Sequence, residues 1–498
     1  MAELFEHQKQ GIKFLKENKK IILADEMGLG KTRQAIIAAG ETSKGVLVVC
    51  PASLKYNWQR EIIFVYPKDR VDIISSTDEI IDGAKWYIIN YDILEKHIDA
   101  IVNLINKKLL NTLILDEAHY IKGKTIRSAC IVGGLVKKKV EGVPKRQRIA
   151  GIASGMENVY CLTGTPLLNR PIEMFNLLRA IGHKLGTNRQ AFGIKYCGAY
   201  LCQLGRTGIR FWDESGSSNI EELRKEIQPV FLRRKKEEVL DLPDKIISTM
   251  ISELTPEWRQ VYANAWKKYL EFVKETTATM DDKQRKETIQ GALMAKHLVE
   301  MQKLKQICSQ SKIDRIVADV RNTVEQGEKV IIFSQYTETI TVLAERLNQT
   351  VKGQTKIKAV TLTGSDNMNE RQKAVDAFQN DKNTQVFISN IKAGGVGLTL
   401  TTASVVMFAD MDWSPGIHNQ AIDRAHRIGQ KKTVNAYFYV AKGTLEEDIV
   451  QILTEKEKVI NNLVDGVTNE DTGGPVFSEL MKRLQTKVEN MHVDNFLA

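Results

Sequence analysis

A chain of 498 residues, 43% hydrophobic and 27% charged, has the composition of a soluble globular protein, and its length excludes a single simple core and removes the need for covalent staples. Its 71 Lys and Arg against 61 Asp and Glu leave a formal +10, which favours a polyanionic partner through counterion release; charge alone leaves an incidentally basic protein equally open. Cys50, Cys130, Cys161, Cys197, Cys202 and Cys308 form no C-x-x-C pair, which excludes zinc or thioredoxin-like spacing and reads as a reduced intracellular protein. The opening MAELFEHQKQ has no apolar h-region and no run of about 18 apolar residues follows, so neither a signal peptide nor a membrane span is expected.

Five apolar runs recur early, Ile21–Ala24, Val46–Cys50, Trp86–Asn90, Leu113–Leu115 and Val159–Thr163, each followed by a loop and a helix-like pattern. Short continuous runs of this kind suit strands buried on both faces of a parallel sheet. Between about 175 and 325 the texture changes to long charged helical patterns such as Pro256–Thr276 and Lys283–Ser309. Thr255 reads as an N-cap with Pro256 at the first helical position. Met294, Leu298, Met301, Leu304, Lys305 and Cys308 make a mostly apolar face, read as helix packing. The strand rhythm returns at Val330–Ser334, Ala359–Leu362, Val386–Ser389, Ser404–Phe408 and Val434–Val440, so two α/β domains are predicted. Lys137–Gly155 and Gly205–Ser218 fit no element. Asn469–Gly474 reads as a turn or linker before a last helix near Val476–Glu489. No repeat of solenoid period occurs.

The chemistry concentrates in a few loops. Asp25–Thr32, DEMGLGKT, lies between a strand-like run and the helix-like Arg33–Ala39, the context of a phosphate loop. Gly28 and Gly30 let backbone N–H groups face phosphates, Lys31 reaches the β- and γ-phosphates, and the Thr32 hydroxyl holds Mg²⁺. The standard pattern has Gly where Asp25 stands. Asp116–His119, DEAH, ends the run Leu113–Leu115; Asp116 is assigned to the metal shell and Glu117 to the attacking water. A capping Asp-Glu at a helix start is the plainer alternative. Leu162–Pro166, LTGTP, offers Thr163 and Thr165 as links between the phosphate site and a nucleic-acid site, or an ordinary strand-end turn. In the second domain Gln420–Gln430, QAIDRAHRIGQ, spaces Arg424 and Arg427 at i, i+3, which predicts one helical face and a pair of arginine fingers for the charge that develops at a γ-phosphoryl group, or else a surface salt-bridged helix. Asn390–Ala403, NIKAGGVGLTLTTA, supplies Gly394, Gly395 and Gly397 for close backbone approach and Thr399, Thr401 and Thr402 as hydroxyls for phosphate. Since the phosphate loop and the arginines lie on different domains, hydrolysis of a bridging nucleotide converts into relative domain motion.

These residues resemble the Snf family of superfamily-two DNA-dependent ATPases, and the resemblance covers nearly the whole chain. It is carried by DEMGLGKT, by Leu162–Asn169 (LTGTPLLN), by QAIDRAHRIGQ, by Val330–Tyr336 (VIIFSQY), by Leu362–Gly364 with Arg371 and Phe378, and by Asp412–Pro415 (DWSP). It implies an α/β fold of two RecA-like lobes with parallel sheets, inserted helical protrusions and a C-terminal brace helix, Thr444–Lys456. The corresponding domains are lobe one at 1–175, a first protrusion and linker at 176–240, a second protrusion at 241–325, lobe two at 326–445, and brace and tail at 446–498. The cofactors implied are ATP and Mg²⁺. The nucleotide is then held by Gln8 (which reads adenine in that family), Gly28, Leu29, Gly30, Lys31, Thr32, Asp116 and Gly397. The catalytic set is Lys31, Glu117, Arg424 and Arg427, and the metal set is Thr32 and Asp116. The nucleic-acid contacts are Ser53 and Asn90, in the Pro51–Leu54 and Asn90–Tyr91 elements, with Thr363, Lys392, Thr399 and Trp413. Lys195–Cys197 (KYC), Gly216–Leu223 (GSSNIEEL) and Phe231–Lys245 (FLRRKKEEVLDLPDK) are similar to the annealing-helicase, HARP-like branch. The chain begins almost at Gln8, so a HARP domain and a replication-protein-A-binding segment are not expected, and Ser414 stands where the family has Asn. The compact build suits a bacterial, archaeal or phage protein.

The function implied is ATP-driven translocation on double-stranded or branched DNA, remodelling DNA or protein–DNA complexes. The alternatives are a strand-separating DNA or RNA helicase and a catalytically silent DNA-binding scaffold. A monomer without membrane contact is expected, working in the cytoplasm at the nucleoid, or in the host cytoplasm for a virus, with a targeting protein as partner. The Lys- and Arg-rich insert Lys137–Arg148 has no counterpart in the family pattern and reads either as a loop gripping the DNA backbone or as a solvated charged loop. The tryptophans Trp58, Trp86, Trp212, Trp258 and Trp266 are expected as core or inter-helix anchors. His119 and His426 are expected as inter-lobe hydrogen-bonding residues.

Overall fold

The computed structural model describes residues 4–140, 143–164, 171–204, 209–214, 216–278, 292–350, 356–394, 398–465, 480 and 483. The chain divides into two compact units. One comprises Met1–Tyr200, Glu214–Asp241 and Ile460–Gly473, the other Leu201–Asp213, Leu242–Val459 and Gly474–Ala498.

The first unit is built on the strands β1 (Lys20–Leu23), β2 (Val46–Cys50), β3 (Val71–Ile73), β4 (Trp86–Asn90) and β5 (Thr112–Leu115). Next come β6 (Gly134–Val140) and β7 (Val143–Ile149), which form a hairpin of their own, then β8 (Asn158–Leu162). β9 (Tyr200–Leu204) and β10 (Ile209–Asp213) pair as another two-stranded sheet, which apart from Tyr200 is assigned to the second unit, and β11 (Phe231–Leu232) rejoins the main sheet of the first. Among the described residues the main sheet has the order β11-β1-β8-β5-β2-β4-β3, parallel throughout, with Ile22 opposite Cys161, Val48 opposite both Ile88 and Ile114, and Ile114 opposite Tyr160. Every residue of β2, β4, β5 and β8 is buried. That is why these strands read as unbroken apolar runs: helices cover both faces of a parallel sheet. Leu47, Val49, Ile89, Leu113, Leu115, Val159 and Cys161 belong to one core cluster, each side chain contributing about 1.5–3 kcal/mol on burial.

The second unit has β12 (Lys245–Ser252), β13 (Val330–Ser334), β14 (Ala359–Leu362), β15 (Val386–Asn390), β16 (Val405–Phe408) and β17 (Val434–Ala441), in the order β12-β17-β16-β13-β15-β14 and again parallel. β12 lies in a stretch that the sequence reads as helical. It runs beside β17 from Lys245↔Val434 to Ser252↔Ala441, an edge strand with Ile246, Ile247 and Ile251 exposed. Its apolar residues follow no alternation, so no period announces it.

The helix Pro256–Ala278 starts as its sequence predicts, with Thr255 Oγ1 accepting from Trp258 N at 3.4 Å. The next helix is Ala292–Ser311; the first part of the Lys283–Ser309 prediction lies outside the described residues. Its packed face carries Met301, Leu304, Lys305 and Cys308, all buried, while Leu298 is exposed. Lys312, at the junction with the helix Ile313–Glu325, is fully buried against Glu446 in the first turn of the helix Leu445–Asp465. Lys312 Nζ donates to both Glu446 oxygens at 2.7 Å and to Tyr439 O at 2.8 Å. The predicted last helix near Val476–Glu489 lies outside the described residues except Leu480, which is buried, and Arg483, paired with Glu455 at 2.6 Å. All six cysteines are free, Cys50 and Cys161 buried in β2 and β8. Among the described residues no helix is long and apolar enough to cross a membrane.

Candidate active site

Parallel strands deliver their following loops to one edge of a sheet, and ligands of such sheets sit outside the strands' carboxyl ends. β1, β8 and β5 are neighbours, so DEMGLGK, the residues Thr163–Gly164 and DEAH emerge side by side. Next along the same edge come Ser53, half-buried in the turn Ala52–Leu54 after β2, and Asn90, the buried last residue of β4.

After β1 the chain turns through Gly28 at φ 88° and Gly30 at φ 78°, left-handed values that glycine adopts at little cost. Gly30 caps the helix Lys31–Thr42, whose N-terminus presents N–H groups and a positive dipole end to an anion. A Cβ on Gly30 would collide with the Gln8 side-chain amide. Gln8 Nε2 donates to Leu29 O at 3.4 Å, and Gln8 Oε1 accepts from Phe5 N at 3.2 Å. His7 Nε2, at 3.1 Å, and Gln34 Nε2, at 3.2 Å, also reach Leu29 O. Lys31 Nζ donates to Asp25 O at 2.7 Å and Glu26 O at 3.2 Å. Burial pushes the Lys31 ammonium below its ordinary range, opposed by Glu117, Asp25 and Asp116. Thr32, next in the helix, is half-buried.

Asp116 closes β5. Its Oδ2 accepts from Trp58 Nε1 at 2.7 Å and its Oδ1 from Glu117 N at 3.0 Å, while Tyr91 OH donates to Asp116 O at 2.8 Å. Burial, then the neighbouring Glu117 charge, pushes the Asp116 carboxyl up to about 6, against the Trp58 hydrogen bond and Lys31. Glu117 is left-handed at φ 48°, ψ 52°, an uncommon state for a residue with a side chain and one that clusters at functional sites. Its Oε2 stands 3.3 Å from His119 Nδ1. Thr163 is fully buried, its N–H on Leu23 O at 3.1 Å. A Cβ on Gly164 would stand 3.5 Å from Lys31 Nζ, which places the third loop against the lysine. Thr165 lies outside the described residues.

A further part of this site escapes sequence reasoning. Residues 231–236 return to brace the phosphate loop from more than 200 positions away. β11 pairs with β1 through Ile22↔Phe231 and Leu23↔Leu232. Ala24 N then donates to Leu232 O at 2.7 Å, Glu26 N to Arg234 O at 3.0 Å, and Lys236 N to Glu26 Oε2 at 2.7 Å. Arg234 grips the fully buried Asp25 side chain with Nε on Oδ1 at 2.9 Å and Nη2 on Oδ2, and also reaches Gln34 Oε1 at 3.0 Å and His7 O. Asp25 therefore anchors the loop where a standard phosphate loop needs only a glycine. Gly11 makes room for the anchor: a Cβ there would stand 2.8 Å from Arg234 Nη2. Trp58 is the other residue whose role here was unforeseen, its indole serving Asp116 as well as the core.

In the second unit the helix containing Gln420 is Pro415–Ile422 and stops short of both arginines. Arg424 and Arg427 stand in the turns that follow, not on one helical face. The helix gives way because short bonds take over, Arg424 N to Ala421 O at 3.2 Å and Arg427 N to Ala425 O at 3.2 Å, before Gly429 at φ 102°. The turn is tied instead to the Gly- and Thr-rich loop. Leu400 N donates to Arg424 O at 2.9 Å, and Arg427 Nη1 donates to Leu398 O at 3.2 Å and Thr399 Oγ1 at 2.9 Å. Gly397 lies outside the described residues. Lys392 is exposed, its Nζ 3.4 Å from Asp412 Oδ2. Lys305 Nζ lies 4.2 Å from the centre of the Trp413 ring and donates to Met411 O at 2.7 Å, so Trp413 already carries a cation on its ring. His418 Nε2 accepts from Asp412 N at 2.9 Å, and burial holds its imidazole down at about 4. Thr363 follows β14, its N–H on Asp366 Oδ2 at 2.5 Å and its carbonyl accepting from Arg371 Nη2 at 3.2 Å. His426 Nε2 reaches Pro243 O at 2.8 Å.

A profile described as the SNF2-related domain matches residues 7–139 and 148–313, and one described as the helicase conserved C-terminal domain matches residues 309–429. The DNA annealing helicase and endonuclease ZRANB3 of Mus musculus is 30% identical over 485 residues, covering 93% of this chain and 41% of that protein. An uncharacterized ATP-dependent helicase of Mycoplasma pneumoniae is 29% identical over 501 residues, covering 95% and 44%. The chain thus spans about two fifths of the length of these curated relatives. Among solved structures, the Sulfolobus solfataricus SWI2/SNF2 ATPase core in complex with dsDNA aligns over 99% of this chain and 98% of that one, with 24% identity and a TM-score of 0.39.

Proposed function

The chain belongs to the SNF2-related family of helicase-like ATPases, and on that premise we propose that it translocates along double-stranded DNA and remodels DNA or protein–DNA complexes. One observation carries the reading: three neighbouring strands bring Lys31, the Asp116–Glu117 carboxylates and Gly164 to one edge of one sheet. That donor set suits a nucleotide phosphate with a hard cation. A lysine resting on carbonyls can turn to a phosphate, and a carboxyl raised by burial gains from a divalent ion.

In this proposal Gln8, Gly28, Leu29, Gly30 and Thr32 position the nucleotide with Gly397, and Thr32 and Asp116 hold Mg²⁺. When bound, Mg²⁺ neutralises charge on the β- and γ-phosphate oxygens. Glu117 orients the attacking water, and Arg424 and Arg427 meet the charge that develops in transfer. Ser53, Asn90, Thr363, Lys392, Thr399 and Trp413 are assigned to DNA. The name of the mouse relative speaks of annealing, so strand annealing or fork remodelling is the activity to seek here. The working place proposed is the nucleoid in a cytoplasm, as a monomer directed by a targeting protein.

The test is ATP hydrolysis by the purified chain, alone and with duplex, forked or single-stranded DNA or RNA, beside Lys31→Ala. Stimulation by duplex or forked DNA, reduced about 10²–10³-fold or more in the variant, is expected. Stimulation by single strands or RNA alone replaces the translocase with a strand-separating helicase, and no hydrolysis under any condition leaves a silent scaffold.

A further inference from the structure

In its described residues the insert Lys137–Arg148 is not a loop. β6 and β7 pair antiparallel from Gly134↔Ile149 to Val140↔Val143, a two-stranded ribbon between the neighbouring sheet strands β5 and β8. Its base is closed by two glycines. A Cβ on Gly151 would collide with Gly133 N and stand 2.7 Å from Ile131 O, and one on Gly133 would stand 3.1 Å from Gly151 N. Gly133 takes φ 75°. Val136 and Ile149 are buried in the core. Alternation puts positions 135, 137 and 139 on the other face of β6, where Leu135 is 70% exposed, and the register puts exposed Arg148 opposite Leu135.

The composition of the ribbon works against its own stability. Residues 134–149 hold six basic side chains and one acidic residue, Glu141, a formal +5 that is half of the chain's +10. The register sets Lys137 opposite Arg146 and Lys138 opposite Lys145. Like charges directly across a sheet repel, and a lone two-stranded ribbon is marginal in water. A polyanion laid along it removes the repulsion. The SNF2-related profile also breaks off at 139 and resumes at 148, so the outer part of the ribbon, 140–147, lies outside the match.

We propose that the ribbon 134–149 is a second, sequence-independent binding surface for the phosphodiester backbone of duplex DNA. Lys137, Lys138, Lys139, Lys145, Arg146 and Arg148 supply its charge. The identity of the polymer rests on the translocase reading above; the ribbon itself does not.

The test is equilibrium binding of a short fluorescein-labelled DNA duplex to the full chain over a series of salt concentrations. It compares wild type, a variant with all six basic residues changed to Gln, and a variant in which Lys and Arg are exchanged so that charge is kept. Each phosphate contact contributes about 0.9 to the slope of log K against log salt. The Gln variant is expected to lose about 3–5 of that slope with DNA-free hydrolysis unchanged, and the exchange variant to keep it. A wild-type slope in the Gln variant overturns the ribbon and leaves the translocase standing; a wild-type chain that binds no duplex overturns both. Should the Gln variant fail to fold, amine-reactive labelling of the wild-type chain decides. Protection of Lys137, Lys138, Lys139 and Lys145 by duplex is expected, and equal labelling with and without it rejects the proposal.

Discussion

The Arg234 guanidinium lies on the Asp25 carboxylate 209 positions away along the chain, Nε 2.9 Å from Oδ1, with the carboxylate fully buried. This pair fixes the base of the phosphate loop to a segment that otherwise contributes only two residues to the sheet. Removing one partner of a buried pair leaves an uncompensated charge and costs about 3–5 kcal/mol. Arg234→Met and Asp25→Gly are each expected to lose that much in urea unfolding and to raise the KM for ATP. The double variant is expected to recover part of the stability. A single variant that unfolds with wild type removes the anchor's importance.

Trp58 Nε1 supplies Asp116 with a hydrogen bond that favours the ionised carboxyl. Trp58→Phe keeps most of the packing and drops the donor, so the carboxyl moves further up. A hydrogen bond to a charged group is worth about 1.5–3 kcal/mol. Hydrolysis by this variant is expected to need several-fold more Mg²⁺ for half-saturation. An unchanged Mg²⁺ titration would confine Trp58 to the core.

Lys312 and Glu446 are both fully buried and share two contacts of 2.7 Å. Burial pushes the Glu446 carboxyl up while Lys312 pulls it back. Lys312→Met or Glu446→Gln alone is expected to cost about 3–5 kcal/mol, whereas Lys312→Met with Glu446→Leu should fall close to wild type. The comparison is by thermal melting; equal loss in the double variant would show that the pair's hydrogen bonds to Tyr439 O and Ala441 N, and not its charges, hold the site.

His418 is neutral in the fold, with an imidazole held down at about 4 by burial, against about 6.5 in an unfolded chain. A depressed pKa means that the unfolded chain binds the extra proton first. The contribution is therefore complete above about 6.5 and disappears as the pH falls towards about 4, amounting to about 3 kcal/mol. His418→Gln should flatten that part of the melting profile between those limits. A profile with the same acid slope in both proteins rejects His418 as its source.

Strands buried on both faces are announced by the sequence: β2, β4 and β13 match their apolar runs to the residue, and β14, a partly exposed edge strand, matches its run as well. The loops of the site were legible because glycine and charge follow such runs directly. β3, three half-buried residues, and β11, two, are too short to show a period. β12 is an edge strand with exposed isoleucines. Arg424 and Arg427 show the limit of spacing as a guide. An i, i+3 interval suggests a helix, yet those residues stand in turns, Arg424 tied by its carbonyl to Leu400 N and Arg427 by its guanidinium to Leu398 O. The Arg234 anchor depends on contacts between distant parts of the chain, which no local pattern encodes.

Gly133 and Gly151 bring the chain back almost to its starting point. The entropy of closing a loop grows only with the logarithm of its length, so chain added beyond the buried pair Val136 and Ile149 has little effect on the rest of the unit. This position is a socket. Chain can be spliced in beyond Val136 and Ile149, by evolution or by an engineer attaching a reporter, while the β5 and β8 loops keep their places beside Lys31.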